Sequence, residues 1–254
     1  MKILLSPAKS IDTSKVTETY PVSHPLFLKE SEQLITKLKK MSAKKLAKLM
    51  HISPDLAELN EIRFKNWEKP TVQTSEVIPA VLAFSGEVYR GLDALSLTEE
   101  DLNRANDQIL ILSGLYGILK PMDLLVPYRL EMGTSWQITP KVKNLYQFWG
   151  KKLAQQLNLE LGKEDVIINL ASAEYFKAID KKTLKSTVIT PVFKEFKNGE
   201  YKIVMMYAKH ARGAMARYIV KNKIETAEEL KLYEVDGYSF DVNQSTDSEW
   251  VFTR

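Results

Sequence analysis

The sequence of 254 residues contains no cysteine. Disulfides, cysteine-ligated iron–sulfur clusters, thiolate zinc sites and thiol-based peroxide chemistry are therefore excluded, and the composition fits a reducing compartment. Histidine is almost as scarce, with His24, His51 and His210 the three in the chain. None follows a carboxylate at three residues' spacing and no two are close in sequence, so neither a carboxylate-bridged iron site nor a zinc site is supported. The expectation is a protein without metal or cofactor. No stretch approaches the roughly 18 apolar residues of a membrane span, and the apolar part of MKILLSPAKS is too short for a secretion signal. A cytoplasmic protein with no membrane partner is expected. Gly-x-Ser-x-Gly elbows and Walker loops are missing. Ser6 and Lys9 form Ser-x-x-Lys, the nucleophile motif of penicillin-recognising enzymes, but its Ser-Asp-Asn and Lys-Thr-Gly companions do not occur. There is no repeat, no low-complexity tract and no Gly/Ser/Pro linker, which predicts one domain over 1–254.

What is present belongs to a globular chain: 44% hydrophobic residues, 27% charged residues and a net charge of +4, which permits an anionic partner without demanding one. KILLS at Lys2–Ser6, QILIL at 108–112 and VIINL at 166–170 read as buried strands, and Val77 to Phe84 is strand-like. Helical spacing covers 25–50, the stretch after Ser53-Pro54 (with Leu56, Leu59 and Ile62), 142–157 and 209–222. Ser53 with Pro54 is a helix start, and Thr98 with Asp101 another. Asn198-Gly199, between 188–196 and 201–207, marks a hairpin. The tail, 238–252, reads as short strands around an acidic loop. Strands alternating with helices, followed by a hairpin, predict an α/β fold: a single domain with a mixed β-sheet surrounded by helices.

The most unusual segment is SGLYGILKPMDLLVPYRLEMG, from Ser113 to Gly133. A buried strand leads into Gly114 and Gly117, where backbone amides can approach a phosphate closely, at a strand end where α/β sheets collect ligands. Tyr128, Arg129 and Glu131 follow two prolines; Arg129 offers a planar fork suited to phosphate. Taken alone, Gly-x-x-Gly is a structural turn. Leu112 to Gly117 also matches the hairpin of helix-hairpin-helix modules, which grip the DNA backbone through main-chain amides.

Other groups stand near strand ends. Lys9 and Ser10 follow the first strand. NLASAEYFKAI follows VIINL with Ser172, Glu174, Tyr175 and Lys177; it is a capped helix or a second wall of one site. In KHARGAMARYIV, Lys209 and Arg212 fall near the covered side with Met215, Ile219 and Val220, whereas His210, Arg217 and Lys221 share another, wet face. Charges on a covered side need a partner or a ligand. They can pair with Glu131 or Glu174, or they can line a basic cleft at the helix start. The lysines between Lys37 and Lys48 read as a solvated surface.

MKILLSPAK, AFSGEVYRGL, LSGLYGILKPMDLLVPYRLEMG, LYQFWG, NLASAEYFK and KHARGAMARYIV together resemble the YaaA family of peroxide-stress proteins, essentially end to end. The resemblance implies a bacterial cytoplasmic protein of the peroxide response that limits intracellular iron and protects DNA. It also implies an α/β domain with a basic cleft and a helix-hairpin-helix-like element that binds DNA. With no cysteine and no clustered histidine, protection would work through a bound partner rather than thiol chemistry or an iron cage. The residues expected at phosphate are Lys9, Ser10, Ser113, Gly114, Gly117, Tyr128, Arg129, Lys177, Lys209, Arg212 and Arg217. The partner expected is duplex or branched DNA, held by its backbone. The other reading is an enzyme acting on a nucleotide or base, with Lys9, Tyr128, Glu131, Glu174 and Arg212 as candidate catalytic groups.

Overall fold

The computed structural model describes residues 1–16, 18–162 and 164–254. The apolar runs of the sequence form its centre. Among the described residues one sheet is built from β1 (Lys2–Leu5), β2 (Ile109–Ser113), β3 (Gly117–Leu119), β4 (Val166–Asn169), β5 (Thr187–Lys197), β6 (Glu200–Lys202), β7 (Ser239–Phe240) and β8 (Glu249–Thr253). Their order is β7-β8-β5-β4-β1-β2-β3, with β6 paired to β5. Strands β8, β5, β4, β1 and β2 run parallel, and β3, β6 and β7 add antiparallel edges. Ile3 lies opposite Ile109 on one side and Ile168 on the other. Strands covered on both faces have no reason to alternate polar with apolar residues, and Ile3 to Leu5, Ile109 to Leu112, Ile167 and Ile168 are wholly buried. The result is the predicted α/β domain, a mixed sheet flanked by helices.

Local chemistry sets several boundaries. Ser53 Oγ accepts from the Leu56 amide and starts the Pro54–Lys65 helix. Thr98 and Asp101 bond reciprocally in a capping box at the head of Glu99–Gln108. Asn198 and Gly199, with φ of 56° and 83°, form the left-handed turn that joins β5 to β6.

Other stretches depart from the sequence expectation. The 25–50 pattern divides into helices Leu28–Leu38 and Ala43–Met50. The 142–157 pattern breaks at Gly150, φ 50°, into Leu145–Trp149 and Lys152–Glu160. Residues Ala80–Ala83 form a helical turn between strands of two residues each, Ile78–Pro79 and Phe84–Ser85, because a short apolar run suits a buried helix as well as a strand. The leucines of Pro54–Lys65 are the larger surprise. Its inward residues are Ala57, Asn60 and Phe64, while Leu56, Leu59 and Ile62 stay open.

Strand β5 outreaches its neighbours. The Phe196 amide donates to the Arg254 carbonyl on the β8 side at 2.8 Å, so β6 pairs along the edge that meets β4 lower down. The hairpin therefore overhangs the carboxyl end of β4. The Met205–Lys221 helix starts from it, four residues earlier than the sequence predicts.

Candidate functional site

Three neighbouring parallel strands, β2, β1 and β4, end together, and polar side chains tie their ends. Ser6 Oγ accepts from the Ser172 amide at 2.9 Å and lies 3.3 Å from Ser172 Oγ, joining the loop after β1 to the loop after β4. The Tyr89 hydroxyl donates to the Ser6 carbonyl at 3.1 Å. Ser113 Oγ and the Tyr128 hydroxyl lie 2.6 Å apart. Burial pushes the phenols of Tyr89, Tyr128 and Tyr175 well above their ordinary pKa of 10. All three stay protonated at neutral pH and act as hydrogen-bonding walls.

The strap after Pro127 carries the charges. Glu131 sits between two cations, 2.8 Å from Lys9 Nζ and 3.0 Å from Arg129 Nη2. Two cations against one carboxylate leave this group net positive. The Lys9 side chain is 64% exposed and that of Arg129 only 18%, and Arg129 Nε is buried without a partner. Glu174 Oε1 accepts from the Gly133 amide at 2.8 Å, pinning the end of the strap to the β4 loop. The Tyr146 hydroxyl donates to the Glu174 carbonyl at 3.1 Å, and Lys177 Nζ lies 5.0 Å from the centre of the Tyr146 ring. Thus Lys9, Ser113, Tyr128, Arg129, Glu131, Glu174 and Lys177, distant in sequence, belong to one connected cluster.

Arg212 is a half-buried charge of a different kind. On the Met205–Lys221 helix it shares a face with Ala208, Met215 and Ile219, all buried. Its Nε has no hydrogen-bond partner, and it forms no ion pair among the described residues. Burial lowers its pKa from the ordinary 12.5. An arginine drawn partly out of water with no counter-charge carries a desolvation cost.

Several predicted ligands are placed otherwise. The Leu112–Gly117 turn joins two strands, β2 and β3, so the expected helix-hairpin-helix hairpin is not formed there. Its amides are consumed: Leu115 and Tyr116 both donate to Ser113 Oγ, at 3.2 and 2.9 Å. The glycines answer protein neighbours. A Cβ on Gly114 would stand 2.3 Å from the Leu130 carbonyl oxygen, and one on Gly117, φ 71°, 2.7 Å from the Trp149 ring. Ser113, Gly114 and Gly117 therefore position the strap, and two of the turn's amides are spent on Ser113 Oγ. Ser10 pairs with Ser85 in a two-residue ladder. Lys209 stands in solvent rather than on the covered side. Arg217, expected on the wet face, turns inward. Its Nη1 donates to the Leu92 and Asp93 carbonyls at 3.0 and 2.9 Å, closing the Glu87–Leu92 helix beside left-handed Asp93. Tyr89 and Tyr146 escape the sequence reading, because a tyrosine in a short helix carries no spacing signal.

Glu87–Leu92 crosses Met205–Lys221 at two glycines. A Cβ on Gly91 would meet the His210 carbonyl oxygen at 2.1 Å, and one on Gly213 the Val88 carbonyl oxygen at 1.7 Å. This crossing holds Tyr89 over Ser6.

Among the described residues no group of histidines, cysteines and carboxylates is placed to hold a metal ion, and no helix is long and apolar enough to cross a membrane. Fold and cluster define an α/β protein whose strand ends carry a half-neutralised cationic site walled by tyrosines. A family model described as peroxide stress protein YaaA matches residues 1–244, and the chain belongs to that family. A UPF0246 protein of Colwellia psychrerythraea is 46% identical over 256 residues, covering 100% of this chain and 99% of its own. One from Flavobacterium psychrophilum is 48% identical over 254 residues, with both chains covered in full. A third, from Saccharophagus degradans, is 48% identical over 256 residues, covering 100% of this chain and 99% of its own.

Proposed function

We propose that this member of the peroxide-stress family binds DNA in the cytoplasm through phosphate contacts at the strand-end cluster, and that this binding helps limit iron-driven oxidative damage. The observation that carries the reading is Arg212, half-buried, with its Nε buried and unbonded and no counter-ion among the described residues. A phosphate would supply the missing charge. The surplus cation of the Lys9–Glu131–Arg129 group and exposed Lys177 and Lys209 share the preference for an anion. Contacts of this kind position a nucleic acid without reading its bases. The reading as an enzyme on nucleotides draws less support. Tyr128 is held protonated, and Glu131 and Glu174 are both engaged, by two cations and by the Gly133 amide.

The test is the affinity for a duplex and for a branched DNA, measured by fluorescence anisotropy across a salt series. Affinity should fall steeply as salt rises, through counterion release. Arg212→Met should weaken binding by about tenfold and lower the salt slope by roughly 1. The same variant should unfold at equal or higher denaturant, because it removes an unpaired, half-buried charge. Affinity that hardly responds to salt, or an Arg212→Met protein that binds as well as the parent, overturns the proposal.

A further inference from the structure

On the Pro54–Lys65 helix the large aliphatic side chains face the wrong way for a core. Ile62 is 58% exposed, yet it does not stand alone. Leu59, Ile62, Val72, Val126 and Pro127 line one cleft of about 540 Å³, a volume within the range of small-molecule sites. Scattered apolar residues on a surface need no explanation, but a concave wall of them does.

The cleft also holds a charge. Arg63 lines it, half-buried, and among the described residues it makes no hydrogen bond to a side chain or carbonyl and no ion pair within 4.0 Å. Burial lowers its pKa from 12.5, against the opposing influence of Glu76. Two other polar groups at the cleft are already occupied: Lys69 pairs with Glu32 at 2.9 Å, and Thr74 Oγ1 accepts from the amides of Glu76 and Val77. The planar fork of arginine matches a carboxylate in two-point contact. Glu68 and Glu76 also line the cleft; their charge opposes any anion, so what enters carries no more than the single negative charge that Arg63 can offset.

We infer that the cleft between the Pro54–Lys65 helix and the Val126-Pro127 strap is a binding site for a small monocarboxylate with an aliphatic body, its head on Arg63 and its chain along Leu59, Ile62 and Val72. This site is separate from the strand-end cluster, and its occupancy does not depend on DNA.

The experiment is a titration of the isotopically labelled full chain with octanoate and, separately, with uncharged 1-octanol, followed by amide NMR. Octanoate should produce saturable shifts confined to residues 59–77 and 126–127, and should bind about tenfold more tightly than octanol, the value of a charge-assisted hydrogen bond in a partly dry site. Arg63→Met should remove that preference and leave octanol binding unchanged. Val72→Asp, at a position 64% exposed where the fold tolerates charge, should weaken octanoate by about tenfold or more through repulsion and lost apolar contact. Equal affinities for the acid and the alcohol in the parent protein, no saturable shift at the cleft, or an Arg63→Met protein that still prefers the acid would each overturn the inference.

Discussion

Two pairs of glycines draw backbones together in this molecule, and they do so for different ends. Gly91 and Gly213 let two helices cross in direct main-chain contact. Gly114 and Gly117 sit in the turn between β2 and β3, with Gly114 pressed on Leu130 and Gly117 on Trp149. The second pair stands at a strand end within a segment rich in tyrosine and arginine, which is how a phosphate cradle looks in a sequence. The first pair lies in two helices, a short one and the long Met205–Lys221, where neither glycine has the look of a phosphate turn. Both turn out to serve packing between parts of one chain, and both hold functional side chains in place at one remove: the helix crossing sets Tyr89 over Ser6, and the buried turn sets the strap of Arg129 and Glu131. A glycine that permits close approach says nothing about what approaches.

The largest expected effect comes from Gly213→Ala. The new methyl carbon would face three backbone atoms within 2.8 Å, none of which can rotate away. A loss of about 4 kcal/mol or outright failure to fold is expected, read by urea denaturation. Gly114→Ala should cost about 3 kcal/mol by the same mechanism. If Gly114 instead served a ligand, its alanine variant would keep its stability and lose only DNA binding, and the equivalence of the two glycine pairs would fail.

Ser113→Ala is smaller and more specific. It strands the Leu115 and Tyr116 amides and the Tyr128 hydroxyl in a dry site, so about 2 kcal/mol should be lost. A stability equal to that of the parent would mean that the turn does not depend on this oxygen.

The smallest effect concerns Asp101, which pairs with Lys221 at the C-terminal end of the Gly213 helix. Burial pushes its carboxyl up, but hydrogen bonds from Thr98 and the Lys221 ammonium outweigh that and hold its pKa below the ordinary 3.8. A lowered folded-state value means stability that is present above the unfolded value and is lost as pH falls through the folded one. Asp101→Asn should therefore cost about 1 kcal/mol at pH 7, and the difference from the parent should shrink on the acid side of pH 4. A gap that persists unchanged in strong acid would assign the effect to packing instead of charge.

Much of the architecture was legible because it is written in short-range chemistry. Continuous apolar runs announced the central strands, Ser53 and Thr98 announced helix starts, and Asn198-Gly199 announced the hairpin. The break at Gly150 and the helical turn at Ala80–Ala83 were not legible, since a local apolar pattern does not name the element it belongs to. The candidate site was legible in its charges: Lys9, Arg129, Glu131 and Glu174 do come together. It was not legible in its geometry. Arg217 has the spacing of a wet residue but is spent on two carbonyls, and the open cleft beside Arg63 gave no sign, because a helix shows the same leucines whether or not anything covers them.

Composition and local spacing alone settled that this chain lacks thiol chemistry, that its centre holds buried apolar strands, and where several of its helices begin, since each depends on residues within a turn or two of one another. Which cations keep a carboxylate and which stand bare, which glycines touch protein, and which apolar face stays open were decided only when distant segments packed, because pairing, close approach and burial are relations between places the chain must first bring together.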